Sequence, residues 1–311
     1  MAPLPYPTGW FCVGRTRDLL PGRVRTARLA GEDVVVYRTR RGTVRAVGAH
    51  CPHLGAHLGA GGHVRGEDLV CPFHGFAFGP DGSCNGAPDG TRLRADLTKR
   101  HLAELDGALF AWLGDGAPAW QLPPPSGSRP LAWWTGELRS HPQEVMENSV
   151  DFRHTAVLHG LDTRETAPPE EDGPLFTVHQ RTTTRFPGLG AVSLEQPVAL
   201  AGLGLMRLTA ELPQLGATLR VWVMPTPVAS WRTRVRFAVS VTLPSPGPAR
   251  SVDRAASWLA LRASVRIVKQ DQPVLEHKRY LDRPRLVPGE RSIGVFRRWT
   301  KQFYPQDGPA H

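Results

Sequence analysis

Four residues in the first third of the 311-residue chain have the types and the spacing of metal ligands. Cys51 and His53 form a C-x-H pair, and Cys71 and His74 form a C-x-x-H pair further along. Two thiolates and two imidazoles can hold one zinc ion, or a [2Fe–2S] cluster in which histidines replace the cysteines on one iron. A zinc finger would place both histidines after both cysteines. The order found here therefore favours the cluster, with zinc as the alternative.

A second group of ligand types is Asn148, Asp151, His154 and His159. Asp151 and His154 lie at i,i+3 and share one face of a helix. His154 and His159 are five residues apart, so a kink or a helix end must bring both rings to one metal ion. A helix that carries two incidental histidines is the alternative interpretation.

The first group carries a family resemblance. The segment from Cys51 to Cys84 contains CPH, then CPFHG, then FGPDGSC, and it resembles the Rieske iron–sulfur domain of ring-hydroxylating and related oxygenases. Phe76 departs from the family, which usually has Trp after the His-Gly pair. The resemblance implies a [2Fe–2S] cluster, whose two neutral histidine ligands raise its potential to roughly −150 to +300 mV. All four positions of such a site are filled, so an enzyme of this kind needs a second site.

The second group resembles the mononuclear iron motif of Rieske oxygenases, N-x-x-D-x-x-H-x4-H. In that family the third ligand is an aspartate on a long helix more than a hundred residues later, where this chain has Asp271. The resemblance implies that His154, His159 and Asp271 bind Fe(II). Two histidines and one carboxylate on one face of the ion leave open positions where dioxygen and substrate can meet.

The same resemblance gives roles to the two remaining members of the group. It implies that Asp151 contacts His154 in its own chain and His74 of the partner subunit, which makes a hydrogen-bonded electron path. A carboxylate that only orients His154 is the alternative. Asn148 corresponds to a residue near the iron.

The C-terminal part of the chain points to one branch of the family. Residues Gln270 to Tyr280 and Arg297 to Tyr304 look like the branch that includes cholesterol 7-desaturases and 3-ketosteroid 9α-hydroxylases. This resemblance implies a homotrimeric oxygenase that hydroxylates, desaturates or oxidatively cyclises an apolar polycyclic substrate. The few, widely spaced cysteines and the start of the chain predict a cytoplasmic location. The alternative for Trp299, Phe303 and Tyr304 is that they only pack a terminal helix.

The chain contains no motif that would supply its own electrons. Gly188-Leu-Gly190 and Gly202-Leu-Gly204 are weak matches to a dinucleotide-binding loop, and they lie in a strand-rich region. Four cysteines are too few for an added plant-type ferredoxin module. We therefore expect electrons from a separate ferredoxin and/or an NAD(P)H-dependent ferredoxin reductase.

The charge of the chain agrees with a protein partner. The formal net charge is +10, and the basic excess lies toward the C-terminus without a dense basic block. We therefore expect no nucleic acid, and we expect an acidic ferredoxin to suit this surface. There is no long apolar run and no leader-like start, which predicts a soluble protein without a membrane span.

These residues must be positioned by a fold that the pattern predicts to be α+β. Gly and Pro number 32 and 30, which favours short strands and turns. Alternating runs such as Val34 to Tyr37, and a hairpin around Asp106-Gly107, predict an all-β domain over 1–118. Residues 119–130 are a Pro- and Gly-rich linker.

Residues 131–311 form the predicted catalytic domain. Alternation over 174–245 predicts a large antiparallel sheet, and apolar spacing over 251–277 predicts a long helix packed on it, a helix-grip arrangement. Residues 160–173 read as an acidic loop. The sheet and the helix should line the substrate pocket, and the candidate lining residues are Phe176, Leu205, Met206, Trp222, Met224 and Phe237.

Two other functions remain open from the sequence. A Rieske ferredoxin would carry electrons only, but about 190 residues beyond the cluster domain argue against it. A non-catalytic homologue would bind the substrate and tolerate loss of His159.

Overall fold

The computed structural model describes residues 4–186, 190–244 and 250–305. The chain forms two compact units, of which the first is Phe11–Leu122. The second unit consists of the chain that follows Leu122 together with the segment before Phe11. The domain bounds given above stay a prediction.

The first unit is built from short strands in three small sheets. Their orders are β1-β11-β10, β2-β3-β4-β9 and β5-β6-β7-β8, with strands β1 (Gly9–Arg15), β2 (Val24–Leu29), β3 (Glu32–Arg38), β4 (Val44–Gly48), β5 (His63–Arg65), β6 (Asp68–Val70), β7 (Ala77–Phe78), β8 (Cys84–Gly86), β9 (Lys99–Arg100), β10 (Leu102–Leu105) and β11 (Ala108–Leu113). The predicted hairpin at Asp106-Gly107 is confirmed, and both residues have positive φ, as a tight two-residue turn requires.

Strand β3 divides the interior of this unit between two cores, because successive side chains of a strand point to opposite faces. Val34 and Val36 pack into one core with Phe11. Val35 and Tyr37 pack into the other, which also contains the cysteines of both predicted ligand pairs. The second core thus packs against the segment that carries the predicted cluster ligands.

The second unit contains one seven-stranded antiparallel sheet. Its order is β12-β18-β17-β16-β15-β14-β13, with strands β12 (Ala132–Leu138), β13 (Asp162–Asp172), β14 (Leu175–Phe186), β15 (Gly190–Ala201), β16 (Leu205–Leu212), β17 (Ala217–Ala229) and β18 (Arg232–Thr242). The large antiparallel sheet predicted from the alternation is confirmed.

The loop predicted over 160–173 is wrong, because most of this segment is strand β13 at the end of the sheet order. Its register with β14 shifts between Glu165 and Ala167 and again between Ala167 and Glu170. Pro168 and Pro169 lie in the second shift. Proline is compatible with an edge strand or a bulge, because the missing N–H then faces no partner, and the sequence pattern does not reveal this exception.

The described part of the second unit also contains four α-helices. They are α1 (Pro142–Glu147), α2 (Phe152–His159), α3 (Arg250–His277) and α4 (Arg291–Thr300). The long helix predicted on the sheet is confirmed as α3, which contains Pro273 and packs against β12 and β18. The Ser257 hydroxyl ties α3 to the sheet, because it accepts a 2.8 Å hydrogen bond from the backbone N–H of Val241. No helix in the described residues is long and apolar enough to cross a membrane.

Residues 141–159, which contain the Asn148-to-His159 motif, form two helices separated by a break. His141 caps α1 by accepting a hydrogen bond from the Gln143 backbone N–H, and Pro142 occupies the first turn. Asp151 caps α2 in the same way through the His154 N–H. Gly160, at φ +68°, ends α2 in the left-handed conformation.

Candidate functional site

The two loops that carry the first ligand set have nearly the same backbone design. In each loop the cysteine N–H donates to a carbonyl five residues later, over 2.9 Å from Cys51 and 2.8 Å from Cys71. In each loop a glycine N–H donates back to the cysteine carbonyl. These glycines, Gly55 and Gly75, have φ of +74° and +73°, a backbone conformation that residues with a side chain rarely adopt. The two loops therefore present their side chains in a similar way.

The four predicted cluster ligands lie together in the first unit. Cys51 and Cys71 are buried, whereas His74 is exposed and His53 is half-buried. The Nδ1 atoms of the two histidines lie 3.2 Å apart. Phe76, at the position of the usual tryptophan, is buried with its ring centroid 4.9 Å from that of His53.

This arrangement fits an iron–sulfur cluster. Burial raises the pKa of the Cys51 thiol to about 11, and the neighbouring Cys71 adds to this. A thiolate at Cys51 is therefore stable only beside a positive centre. Two buried sulfurs next to two converging imidazole nitrogens match a cluster with two sulfur ligands on one iron and two nitrogen ligands on the other.

The second ligand set is also brought together, although its members come from α2 and from α3. One ligand atom each of His154, His159 and Asp271 lie within 4.8 Å of one another. Asp271 Oδ1 lies 3.0 Å from His159 Nε2 and 3.9 Å from His154 Nε2. The His159 Nε2 atom is buried and forms no hydrogen bond within the described residues. A buried nitrogen without a hydrogen bond, aimed at a carboxylate, is suited to a metal cation between them.

The second nitrogen of each histidine is engaged elsewhere. His159 Nδ1 lies 3.1 Å from Gln270 Oε1, which can only accept a hydrogen bond from it. His154 Nδ1 contacts the backbone carbonyl of Asp151, and the Asp151 carboxylate lies 3.7 Å away. Both histidines are therefore held with the proton on Nδ1 and the lone pair of Nε2 directed to the site.

The acidic groups of this site have perturbed pKa values. Burial raises the pKa of Asp271, against the opposing charges of His159 and His154 and a hydrogen bond from Asn148. Burial would also raise the pKa of Asp151, but the hydrogen bonds and charge of His154 outweigh it and lower that pKa. Asn148, at the C-terminal end of α1, thus contacts the carboxylate of Asp271. A bound cation would offset the cost of ionising this buried carboxylate.

A cavity of about 290 Å³ opens beside these side chains. It lies between the sheet and helices α1, α2 and α3, and apolar side chains from five strands and from the helices form most of its wall. Its volume is just below the roughly 300–1,000 Å³ that small-molecule sites have. Of the six lining residues suggested by the sequence, Met206 and Phe237 line it.

The other four suggested residues lie elsewhere in the core. Phe176 packs against Trp299, with ring centroids 5.0 Å apart, and Leu205 is buried. Trp222 and Met224 alternate with Val221 and Val223, which line the cavity. The period-2 pattern identifies the two faces of β17, but it does not indicate which face meets α3.

A buried polar network fixes α1, and through it Asn148. Arg297 binds both carboxylate oxygens of Glu147, at 2.6 and 2.8 Å. The Gln143 side chain donates to the Tyr280 hydroxyl at 3.2 Å and accepts from the Tyr304 hydroxyl at 2.8 Å. The C-terminal residues singled out by the sequence resemblance thus do more than pack a terminal helix.

Sequence reasoning missed several residues of the site. Gln270 adjoins the predicted ligand Asp271, so its position in the chain could have indicated a supporting role. Thr182 and Gln196 also line the cavity, and polar residues on strands are ordinarily expected to face solvent. No local signal pairs Glu147 with Arg297, because the partners are 150 residues apart.

Two family models cover most of the chain. The Rieske [2Fe-2S] domain matches residues 9–97, and the 3-ketosteroid 9alpha-hydroxylase C-terminal domain matches residues 114–304. Cholesterol 7-desaturase nvd of Xenopus laevis is 29% identical over 98% of this chain and 73% of that protein. A probable 3-ketosteroid-9-alpha-monooxygenase, oxygenase component, of Rhodococcus rhodochrous is 27% identical over 96% of this chain and 80% of its own length.

Solved structures agree in fold. NdmA of Pseudomonas putida CBB5 with caffeine superposes with a TM-score of 0.71 at 18% identity, over 94% of this chain and 89% of that one. Apo dicamba monooxygenase gives 0.71 at 18% identity, over 95% of this chain and 96% of that one. The predicted α+β architecture, a β domain followed by a sheet with a long helix, is confirmed.

Proposed function

We propose a substrate class and residue roles from one premise, which is that the chain belongs to the Rieske non-haem iron oxygenases. It is an O2-dependent enzyme with a [2Fe–2S] cluster and a mononuclear iron. Its substrate, in this proposal, is a neutral, mainly apolar polycyclic molecule of the steroid class, which it hydroxylates, desaturates or oxidatively cyclises. The carrying observation is that His154, His159 and Asp271 border the largely apolar cavity.

Each ligand set has its own part in this proposal. Cys51, His53, Cys71 and His74 hold the cluster, and His154, His159 and Asp271 hold the iron. When bound, the iron supplies O2 activation with electrons that arrive through the cluster. The protein holds the two imidazoles in the required tautomer and presents the substrate from the apolar wall. The largely apolar lining of the cavity disfavours water at the reacting face.

Asp151 and Asn148 act on the iron ligands. Asp151 orients His154 through Nδ1, and Asn148 donates to the carboxylate of Asp271. Asp151 further contacts His74 of the partner subunit in a homotrimer, so that electrons cross between subunits. A trimer is tested by mass photometry, and a stable monomer that turns over at the full rate per chain contradicts this path.

The electrons come from a separate ferredoxin and/or its reductase. The formal charge of +10 supports the docking of an acidic ferredoxin. Turnover at limiting ferredoxin should then fall as the salt concentration rises. A rate that is insensitive to ionic strength contradicts this docking mode. The cytoplasmic location also belongs to the proposal, and cell fractionation tests it.

The decisive experiment counts iron and measures turnover in the same preparation. The chain, reconstituted anaerobically with iron and sulfide, should bind about three iron atoms, two in the cluster and one outside it. With a ferredoxin, its reductase and NAD(P)H, it should oxidise members of a steroid panel with consumption of O2. Two iron atoms and no turnover support the electron carrier, and one zinc ion contradicts both.

A matched pair of variants separates the enzyme from a non-catalytic homologue. His159→Ala should remove the third iron and the turnover, and keep the absorption spectrum of the cluster. His277→Ala is the control and should change neither, because His277 lies in the last turn of α3 and its side chain, among the described residues, bonds to the Pro273 carbonyl at 2.9 Å and to no proposed ligand. Full substrate oxidation by His159→Ala contradicts the proposal.

A further inference from the structure

One part of the cavity wall is polar, although most of the wall is apolar. Thr163 of β13, Gln180 and Thr182 of β14 and Gln196 of β15 all line the cavity. The register places Thr163 opposite Thr182 and Gln180 opposite Gln196. Three neighbouring strands therefore contribute to one surface, which we call the polar wall and define by these four residues.

Members of the polar wall are joined by hydrogen bonds. Gln196 Nε2 donates to Thr182 Oγ1 at 3.3 Å, and the hydroxyls of Thr182 and Thr163 lie 3.2 Å apart. Thr163 and Gln196 are each 8% exposed. Buried polar groups are costly unless they are paired, so a polar atom of a ligand in this mainly apolar cavity would be stabilised by pairing with this wall.

The wall retains donors that its internal bonds do not use. Of the two threonine hydroxyls, one donates to the other, whichever direction the bond takes, so one O–H stays uncommitted. The Gln196 amide has a second N–H beyond the one given to Thr182. In the described part of the chain, no hydrogen bond engages the Gln180 side chain, whose amide adds two further donors. The wall is thus suited to an oxygen that accepts hydrogen bonds.

The charge of the cavity limits what that oxygen can belong to. Among the described residues that line the cavity, His154, His159 and Asp271 can carry charge, and these form the proposed iron site. No lysine or arginine in this lining could neutralise a carboxylate or a phosphate, and no further acidic side chain could neutralise an amine. The ligand that fits carries no net charge and has one polar oxygen.

We propose that the polar wall is a specificity site that binds one carbonyl or hydroxyl oxygen on an otherwise apolar substrate. This rests on the proposed function, because that oxygen fixes which carbon of the substrate faces the proposed iron ligands. Thr182 is the central residue, since it accepts from Gln196 and pairs with Thr163. The residues of the wall position the substrate and do not bind the metal, which is held by the proposed iron ligands.

The test compares binding of two probes to the iron-loaded enzyme without turnover. The probes are a 3-ketosteroid and the same steroid without its 3-oxygen, and dissociation constants are measured by equilibrium dialysis in the absence of reductant. Thr182→Val and Gln196→Leu should weaken binding of the ketosteroid about 3- to 10-fold, the range for one neutral hydrogen bond. Binding of the deoxygenated steroid should stay within about 2-fold.

The same strand offers a control and a rescue. Thr183 is on the opposite face of β14, where its hydroxyl bonds to that of Ser193 at 2.7 Å, so Thr183→Val should leave both dissociation constants unchanged. Thr182→Ser retains the hydroxyl and should restore the preference for the ketosteroid. A purely structural role of Thr182 would weaken both probes equally.

The outcomes separate this inference from the proposed function. Equal loss for both probes, no loss for either, or no binding of either probe overturns the specificity site. Selective loss in a protein that binds three iron atoms but oxidises no steroid would keep the polar wall and contradict the proposed reaction. If the wild type oxidises steroids but Thr182→Val keeps the same preference between the two probes, the proposed function stands and the specificity site is overturned.

Discussion

The two ligand sets of this chain are built on opposite principles. The first lies between Cys51 and His74, on two loops whose backbone hydrogen bonds are made within each loop. The second joins α2 to the distant helix α3, beside a cavity, and depends on partners elsewhere in the unit such as Gln270 and the Glu147–Arg297 pair. The geometry of the first set is determined by local turns. The geometry of the second set depends on the packing of the whole catalytic unit. Changes far from the metal should therefore affect the second set alone.

The largest expected effect comes from removing one ligand of each set. Cys71→Ser should lose the cluster and its visible absorption but retain one iron atom. Asp271→Ala should retain the cluster, lose the third iron, and reduce turnover by more than the 10- to 100-fold typical of residues that only support a ligand. Iron analysis measures the number of iron atoms that each variant retains, and absorption spectroscopy measures the cluster. Cys84→Ser and Glu276→Ala are the controls, and loss of both metals in either ligand variant would contradict the independence of the two sets.

A large effect on stability is expected at Arg297. Arg297→Met leaves the Glu147 carboxylate buried without its partner, which should lower the free energy of unfolding by about 3–5 kcal/mol. Denaturant titration followed by tryptophan fluorescence measures this. Arg234→Met removes an ion pair with Glu137 at the surface, and it should cost at most about 1 kcal/mol. Equal costs for the two variants would show that burial of the Glu147 pair is unimportant.

A pH effect is expected at His141, the cap of α1. Burial lowers the pKa of His141 from 6.5 to about 4. The unfolded chain therefore takes up this proton first, so stability is present above about pH 6.5 and is lost as the pH falls toward 4. The loss attributable to His141 between pH 7 and 4.5 should be about 2–3 kcal/mol.

The variant that checks this is His141→Asn, whose side-chain oxygen can replace the capping Nδ1 and which cannot titrate in this range. Its stability should fall less than that of the wild type over the same pH interval, by the amount given above. Measurements use denaturant titrations at both pH values. Parallel pH profiles for the two proteins would assign the acid sensitivity to other groups.

A smaller effect is expected at Gln270, which holds His159 in its tautomer. Gln270→Leu should weaken iron binding or turnover about 10- to 100-fold and leave the cluster spectrum unchanged. Gln272→Leu is the matched control, since the Gln272 side chain bonds to Glu276 on the same helix and not to a proposed ligand. If both variants behave alike, the His159–Gln270 hydrogen bond has no part in iron binding.

The same contrast explains what the sequence could predict. The Cys/His pairs and the glycines that shape their loops are close in the chain, so motif and turn chemistry can be recognised together. The Asn148-to-His159 motif was recognisable too, but its break into α1 and α2 was not, because it depends on capping by His141 and Asp151. Asp271 could be proposed only through the family resemblance.

Most features that the sequence could not predict depend on tertiary packing. Alternation in β17 predicted a strand, but whether Val223 or Trp222 faces the cavity depends on the side of the sheet that α3 covers. Thr182 and Gln196 have the ordinary pattern of a half-exposed strand, and only packing reveals that they are enclosed. Burial of a polar residue cannot be read from its type.

Strand β13 has a consequence for the behaviour of this protein in concentrated solution. It ends the order of a seven-stranded sheet, and such a row of free backbone groups can add a strand from another molecule. Pro168 and Pro169 offer no N–H, the two register shifts distort the row, and Glu170 and Glu171 add repulsion. The β13 edge of the sheet is thereby protected against intermolecular β-aggregation.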